Sequence, residues 1–420
     1  VTLATRDDVD VFVELVGGSD GPAKAAVEAA LKAGKDVVTA NKALLAHHGQ
    51  ALAELAEANG CVLRFEAAVA GGIPVIKALT EGLAANDITR VMGVMNGTCN
   101  YILTRMESGG LSYAEAFAEA DGLGFLEADP ELDVGGIDAA HKLSLLSAIA
   151  YGTQVSFDAV ELEGIGRVSI DDIRQASDMG YKIKLLGVCR MTGRGLEQSM
   201  SPCLVPASSP LGQLEGGTNM VVIEGDQVGQ IVMRGAGAGE GPTASAVMGD
   251  VVDIARGTRV TTFGAPASKL VEATPARAAT PAPYYLRMNL ADKPGALAKV
   301  ASALGEAGVS IHRRHERELR QAFEDIIETV RVVHQFLEVR APVLVVVEGL
   351  PHDLVVNPLQ DTEDHLGGTG KALPGHQLIK SMAKLLPVAG RLPGHREFVE
   401  DVGKAGRGLL RACMDGRGPA

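Results

Sequence analysis

The chain has 420 residues, of which 46% are apolar and 22% charged, as in ordinary globular proteins with two or three domains. Its formal net charge of −13 argues against a nucleic-acid partner, because binding a phosphate backbone requires a concentrated basic surface. No apolar run approaches the roughly 18–20 residues that cross a bilayer, so no membrane association is expected.

The cysteines indicate a reducing compartment. The chain has five of them, namely Cys61, Cys99, Cys189, Cys203 and Cys413. An odd, scattered set without C-x-x-C spacing argues against a disulfide framework and against a structural zinc site. Because no basic and apolar signal region follows Val1, we expect a cytoplasmic protein.

The segment up to residue 87 alternates strands with helices. Gly17 and Gly18 turn the chain after the first strand, and Pro22 suits the first position of a helix. The predicted strands are 11–16, 36–40 and 61–66, and the predicted helices are 22–33 and 43–58. This alternation predicts the later part of a doubly wound, Rossmann-like nucleotide-binding domain of the α/β class.

One motif of such a domain is not found in the sequence. No G-x-G-x-x-G follows a strand and opens a helix. We therefore expect the first βαβ portion to lie upstream of Val1. A complete, smaller α/β domain that needs no such loop remains the alternative.

Residues 88–263 predict an α+β domain. The predicted strands are 89–94, 181–190, 197–205, 219–224 and 228–234, and the predicted helices are 99–107, 112–121, 138–151 and 243–256. Residues 264–283 are rich in alanine, proline and threonine, which is typical of a linker.

A further unit begins after this linker. Residues 284–311 predict a strand, a turn, a helix at 295–307 and a short strand. Beyond it the composition changes, with apolar residues at helical spacing between 319 and 337 and a strand-like run at 343–347. No function is assigned to residues 312–420.

The run from 127 to 142 is the strongest candidate for chemistry. Its five carboxylates lie at or just before a predicted helix start: Glu127, Asp129, Glu131, Asp133 and Asp138. Asp138 and Lys142 are four residues apart and share a helix face that continues with apolar residues. A buried carboxylate–lysine pair often marks a functional site. An ordinary ion pair on the surface remains the alternative.

Five stretches, in the same order, resemble the homoserine dehydrogenase family. They are VVTANK at 37–42, EAAVAGGIP at 66–74, VMGVMNGTCNYILT at 91–104, EADPELDVGGIDAAHK at 127–142 and GAGAGEGPTASAVMGD at 235–250. The resemblance implies the NAD(P)-dependent interconversion of L-homoserine and L-aspartate 4-semialdehyde. This reaction is a step toward threonine, methionine and isoleucine.

The resemblance also implies roles for individual side chains. Lys142 matches the proton donor to the aldehyde oxygen, and Lys42 matches a second lysine whose charge polarises the carbonyl between substrate and cofactor. Asp138 and Glu127 match the carboxylates that hold the substrate, whose α-ammonium group requires anions.

Cofactor positions follow from the fold and from the same resemblance. Gly17 and Gly18 lie where a doubly wound sheet meets its dinucleotide, here NAD or NADP. Gly124 and Gly239 match positions close to the nicotinamide, and Lys42 adjoins them in the family.

A monovalent-cation site, usually for sodium, is implied at Glu66, Val69, Gly71 and Ile73. Hard cations take oxygen ligands, which one carboxylate and the carbonyls of a tight turn can supply. From the residues alone, Glu66 could instead cap the following helix.

Residues 284–311 resemble the first half of an ACT domain, a module that senses amino acids. The match ends at Ile311, so we expect only a partial ACT-like βα unit. The resemblance further implies a homodimer formed through the middle domain.

Two hypotheses on function follow. The first is an active homoserine dehydrogenase, and the alternative is an inactive or binding-only member that lacks the N-terminal cofactor loop. Cofactor absorbance with homoserine and NADP⁺ distinguishes them.

Overall fold

The computed structural model describes residues 1–276, 282–288, 290, 293–312 and 343–348. Residues 290 and 293–300 belong to a second compact unit, and the other described residues belong to the first. No helix in these ranges combines the length and the apolar character that crossing a bilayer requires.

The first strands form a parallel sheet of three strands in the order β1-β2-β3. Its elements are β1 (Val11–Glu14), β2 (Asp36–Thr39), β3 (Leu63–Arg64) and the connecting helices α1 (Pro22–Lys32) and α2 (Lys42–Ala58). This sheet with its connecting helices confirms the predicted Rossmann-like alternation.

Local signals explain where these helices begin and end. Pro22 is the first residue of α1, and Gly34 follows its end in the left-handed conformation at φ +74°. The Asn41 side chain accepts a hydrogen bond from the Leu44 N–H at 3.0 Å and caps α2. Lys42 is therefore the first residue of α2 and stands just beyond the carboxyl end of β2.

The next part of the chain contains a sheet of six strands in the order β5-β7-β6-β4-β8-β9. The strands are β4 (Ile88–Val94), β5 (Glu161–Leu162), β6 (Tyr181–Thr192), β7 (Gly195–Pro206), β8 (Thr218–Gly225) and β9 (Gly229–Ala236). The short strand β5 is parallel to β7, and the other neighbouring pairs are antiparallel.

Further helices belong to this part of the chain, and several of them pack against the sheet. They are α3 (Val75–Lys77), α4 (Gly97–Gly109), α5 (Tyr113–Gly122), α6 (Pro130–Val134), α7 (Ile137–Tyr151), α8 (Ile170–Asp178) and α9 (Glu240–Ala255). The arrangement agrees with the α+β fold predicted here, whereas the domain boundaries remain predictions. Helices α6 and α8 were not predicted, although Ser169 and Asp172 form a capping box at the start of α8.

Helix α7 is buried on all sides, as its apolar sequence predicts. Every residue from Asp138 to Ala148 is buried, and the side chains of Leu143, Leu145 and Leu146 have no exposed surface. The predicted face with Asp138 and Lys142 therefore lies in the interior. The alternative of a surface ion pair is wrong, because the helix has no solvent-facing side there.

As far as residue 276, the predicted linker (residues 264–283) belongs to the first unit and is hydrogen-bonded to other segments of it. Val271 accepts a hydrogen bond from the Gln154 N–H at 2.8 Å, and Thr274 accepts one from the Leu196 N–H at 2.9 Å. Phe263, just before it, is almost fully buried. Residues 277–281 lie outside the described residues.

The C-terminal elements are β10 (Pro283–Met288), α10 (Ala296–Glu306), β11 (Ser310–His312) and β12 (Val343–Glu348). The strands form an antiparallel sheet in the order β10-β12-β11, so the strand predicted at 343–347 is confirmed and lies in the middle. Strand β10 is attached to α8, because the Tyr285 hydroxyl donates to Asp172 at 2.6 Å and Arg287 donates to it at 2.7 Å. The predicted helical spacing at 319–337 lies outside the described residues.

Three aromatic rings lie together beside the contact between α2 and α7. The ring of His141 lies 5.6 Å from that of His47 and 4.3 Å from that of Phe157, measured between centroids. His141 is buried, whereas His47 is exposed. The histidine next to Lys142 is thus a packing residue between two helices.

We expect this histidine to make stability depend on pH. Burial, and then the neighbouring His47, lowers the pKa of His141 to about 4, whereas a histidine in an unfolded chain titrates near about 6.5. Between these values the unfolded chain binds a proton that the folded chain does not, so stability falls as the pH is lowered. The loss amounts to about 3 kcal/mol and is absent above about pH 6.5.

Urea denaturation over this pH range measures the effect. The variant His141→Phe keeps an aromatic ring but cannot titrate, so its free energy of unfolding should vary less with pH. Parallel pH profiles for the variant and the unmodified chain would contradict the assignment.

Candidate active site

The site is assembled from the starts of two helices. Lys42 is the first residue of α2, and Asp138 and Lys142 lie one turn apart near the start of α7. Because α2 packs on α7, side chains that are far apart in sequence meet in the interior. We call Lys42, Asp138 and Lys142 the lysine–aspartate cluster.

Asp138 is shared by the two lysines of the cluster. Its Oδ1 lies 2.9 Å from Lys42 Nζ, and its Oδ2 accepts a hydrogen bond from Lys142 Nζ at 2.6 Å. Lys142 Nζ also donates to the carbonyl oxygen of Met95 at 2.9 Å. An ammonium group has three N–H donors, so two of those on Lys142 are used within the described residues.

Burial and charge act in opposite directions on Asp138. Burial raises the pKa of this carboxyl, but the charges and hydrogen bonds of Lys142 and Lys42 together outweigh it and hold the pKa below its ordinary value. Asp138 is 6% exposed and Lys142 is 8% exposed. The carboxylate is therefore ionised at neutral pH although it is buried.

Lys42 is the more accessible of the two lysines, since 30% of its side chain is exposed. Its partial burial lowers its pKa, but Asp138 and then Glu127 and Asp133 raise it, and the net shift is upward. Lys42 therefore stays protonated and supplies a fixed positive charge at the mouth of the site.

A second layer of polar groups supports the cluster. The Asn96 amide donates to Asp133 Oδ1 at 2.8 Å and to Asp138 Oδ2 at 3.3 Å. Asp133 Oδ2 accepts a hydrogen bond from the Glu127 N–H at 3.0 Å. This buried layer fixes the backbone of Glu127, while the side chain of Glu127 is exposed.

Asp133 was not predicted as a site residue. In the sequence it is one of five similar carboxylates, and helix α6 is too short to show which of them faces inward. Its burial follows from the contact of α6 with α7, which local sequence does not reveal.

The predicted cofactor glycines occupy turns at element ends. Gly17 and Gly18 follow β1 with φ of +83° and +85°, and Gly124 follows α5 with φ of +72°. The Asn41 amide donates to the Gly18 carbonyl at 2.8 Å, so the turn after β1 adjoins Lys42. Gly239 precedes α9, a helix of 16 residues whose N-terminus has no side-chain cap.

The predicted cation residues form a tight, buried turn between β3 and α3. The Glu66 carboxylate accepts hydrogen bonds from the Ile76 and Lys77 N–H groups at 2.9 and 3.0 Å, so it does cap α3. Burial raises its pKa to about 7. Gly71 has φ +55°, and a Cβ there would lie 2.5 Å from the Gly237 carbonyl oxygen, so the turn requires glycine.

This geometry suits proton transfer to or from an oxygen. Within the described residues the buried Lys142 retains one N–H donor without a partner, Lys42 adds a positive charge, and the exposed Glu127 adds a negative one nearby. Groups of three or more histidine, cysteine or acidic residues that could hold a metal ion do not occur in the described part of the chain.

Two family models match the chain. The model "Homoserine dehydrogenase, NAD binding domain" matches residues 2–66, and the model "Homoserine dehydrogenase" matches residues 74–252. The first range contains Lys42, and the second contains Asp138 and Lys142.

Similar proteins agree with these models. A homoserine dehydrogenase of Neisseria gonorrhoeae is 46% identical over 316 residues, which are 74% of this chain and 72% of that protein. A crystal structure of a homoserine dehydrogenase from Thiobacillus denitrificans has 38% identity and a TM-score of 0.71, and covers 82% of this chain and 76% of its own.

A hyperthermophilic archaeal homoserine dehydrogenase in complex with NADPH has 30% identity and a TM-score of 0.53, and covers 60% of this chain and 73% of its own. These matches confirm the resemblance found in the sequence motifs. The chain belongs to the homoserine dehydrogenase family and is an oxidoreductase that uses a nicotinamide cofactor and a small-molecule substrate.

Proposed function

We propose that Lys142 is the group that exchanges a proton with the reacting oxygen. In the direction of aldehyde reduction its Nζ donates a proton to the aldehyde oxygen of L-aspartate 4-semialdehyde, and in the reverse direction it accepts one from the hydroxyl of L-homoserine. The observation that carries this role is the buried Lys142 Nζ, which donates to Asp138 and Met95 and has one N–H donor left without a partner among the described residues. A positioned acid of this kind contributes a factor of about 10²–10⁴ to the rate.

Lys42 and Asp138 complete the chemistry of the cluster. The positive charge of Lys42 polarises the carbonyl and stabilises the negative charge that develops on its oxygen, so that the carbon accepts hydride more readily. Asp138 faces the substrate between the two lysines, and its shared carboxylate keeps both of them in place. Both Asp138 oxygens already bind lysine nitrogens, so Glu127 is the main carboxylate that binds the α-ammonium group of the substrate.

The cofactor is NAD(H) or NADP(H), which supplies or accepts the hydride when bound. Gly17, Gly18, Lys42, Gly124 and Gly239 would hold it. The residues fit, because a Cβ on Gly17 or Gly124 would have nothing within 4 Å, which leaves open space beside the backbone. The uncapped N-terminus of α9 after Gly239 offers N–H groups to an anion.

A monovalent cation, sodium in the family, is the second implied group. Glu66 and the carbonyls of Val69, Gly71 and Ile73 would hold it, because they lie in one buried turn that offers only oxygen ligands. Burial raises the Glu66 pKa to about 7, and a cation would offset this cost by favouring the charged form.

A homodimer is the proposed assembly. Among the described residues, strand β9 is at the edge of the six-stranded sheet and pairs only with β8, and alternate residues along it, such as Val232, are exposed. An unpaired edge is a natural surface for a second copy. Size-exclusion chromatography with light scattering tests this assembly.

Replacing the proton donor should abolish turnover. We expect Lys142→Ala to lower kcat at least about 100-fold while the thermal unfolding curve stays cooperative, since Asp138 keeps Lys42 as its partner. Cofactor absorbance measures the rate. Lys182→Ala, which removes a lysine paired with Glu107 and Glu215 outside the site, is the matched control. Turnover near the unmodified level in Lys142→Ala would exclude Lys142 as the proton donor.

Glu127→Ala should mainly weaken substrate binding. A charged hydrogen bond contributes about 1.5–3 kcal/mol, so the KM for homoserine should rise about 10-fold to 100-fold with little change in kcat. The control is Glu131→Ala, which removes an exposed carboxylate from the same run. An unchanged KM at saturating cofactor would count against this role.

Sodium should stabilise the folded chain. Replacing Na⁺ by tetramethylammonium at constant ionic strength should lower the Tm by a few degrees, because binding to the folded state alone stabilises it. Glu66→Gln should remove the difference between the two salts. Equal Tm values for the unmodified chain in both salts would rule out the site.

A further inference from the structure

Glu14 is a buried carboxylate that the proposed chemistry does not use. It is the last residue of β1 and is 1% exposed. Its Oε1 accepts hydrogen bonds from the Val16 and Gly17 N–H groups at 2.7 and 3.0 Å, and its Oε2 accepts one from the Thr39 hydroxyl at 2.7 Å. All three donors are neutral groups, and each belongs to the carboxyl end of β1 or β2.

The hydrogen bonds continue from Thr39 to the start of α2. The Thr39 hydroxyl accepts a hydrogen bond from the Asn41 N–H at 2.9 Å. The Asn41 side chain then donates to the Gly18 carbonyl at 2.8 Å and accepts from the Leu44 N–H at 3.0 Å. Thr39 and Asn41 are both buried.

These hydrogen bonds form a closed ring that joins a turn to the start of a helix. One side is the turn of residues 15–18, which leaves β1 and adjoins the place proposed for the cofactor. The other side is the first turn of α2, whose first residue is Lys42. Glu14 connects the two sides through its hydrogen bonds to Gly17 and Thr39, and Asn41 connects them through its hydrogen bonds to Thr39 and Gly18.

We propose that Glu14 and Thr39 are positioning residues of the dehydrogenase reaction. They hold the turn at residues 15–18 and the start of α2 in one arrangement, so that Lys42 reaches Asp138 while the turn stays in place for the cofactor. This inference rests on the role proposed above for Lys42.

The turn depends on this support because it has little stiffness of its own. Gly17 and Gly18 both have positive φ, and glycine has more conformational freedom than any other residue. Val16 is largely exposed, so packing does not restrain it. A displacement of about 1 Å in a group that acts on a reacting centre can lower the rate about 100-fold.

Two pairs of variants separate positioning from general stability. Thr39→Val removes the hydroxyl at nearly constant volume, and Thr39→Ser retains it. Glu14→Ala removes the acceptor, whereas Glu14→Gln can still accept from the turn and donate to the Thr39 hydroxyl. Thr153→Val is the matched control, because Thr153 is also buried but its hydroxyl has no hydrogen-bond partner within the described residues.

The first readout needs no cofactor. Hydrogen–deuterium exchange of the peptide spanning residues 12–20 should become roughly fivefold faster or more in Thr39→Val, and should stay at the unmodified rate in Thr39→Ser and Thr153→Val. Unchanged exchange in Thr39→Val would overturn the proposal. If Glu14→Ala does not fold, Thr39→Val still decides the question.

The second readout is a double-mutant cycle on kcat. We expect Thr39→Val to lower kcat about 10-fold or more in the unmodified chain and to have little further effect in a Lys42→Met background. Equal effects in both backgrounds would show that Thr39 does not act through Lys42 and would overturn the proposal. Unmodified turnover in Lys42→Met alone would remove the role proposed for Lys42, and the exchange experiment would then decide whether the ring holds the turn.

Discussion

One buried carboxylate shared by two ammonium groups is the interaction on which the site depends. Burying a single charge costs several kcal/mol, and breaking a buried pair leaves that cost uncompensated. Asp138 avoids this because Lys42 binds one of its oxygens and Lys142 binds the other. The arrangement requires the start of α2 to remain in contact with α7, so the packing between these helices is a condition for the proposed chemistry.

The hydrophobic core keeps α2 against α7, because it contains side chains from both parts of the chain that the two family models match. Leu44 of α2 and Leu146 of α7 belong to the same buried cluster. Phe65, next to the proposed cation turn, contacts Phe263, whose ring also fills the space beside Gly49 of α2. Nucleotide-binding and catalytic elements therefore share one apolar interior, which keeps the distance from Lys42 to Asp138 short.

The three charged side chains Lys142, Lys42 and Glu127 differ in their exposure to solvent, in increasing order. This difference agrees with the separate roles proposed for them. Lys142 is buried and held by two acceptors, Lys42 is partly exposed, and Glu127 is exposed but has its backbone fixed by Asp133. In the proposed reaction, a substrate with an ammonium group and a carbonyl meets the exposed carboxylate of Glu127 first and the proposed proton donor, Lys142, last. On the other side, Glu14, Thr39 and Asn41 hold the turn beside the proposed cofactor position.

The sequence by itself determined the elements whose signals are local, and it determined the family through five ordered motifs. Pro22 at the start of α1 and the apolar run of α7 act over a few residues, so these two helices were predicted closely. Only the tertiary structure decided which charges meet. Asp133, Glu14 and Thr39 look like ordinary polar residues in the sequence, and the placement of β12 between β10 and β11 could not be foreseen. The physical reason is that their partners lie on other elements, and a buried polar group acquires its role only when packing brings those partners within hydrogen-bond distance.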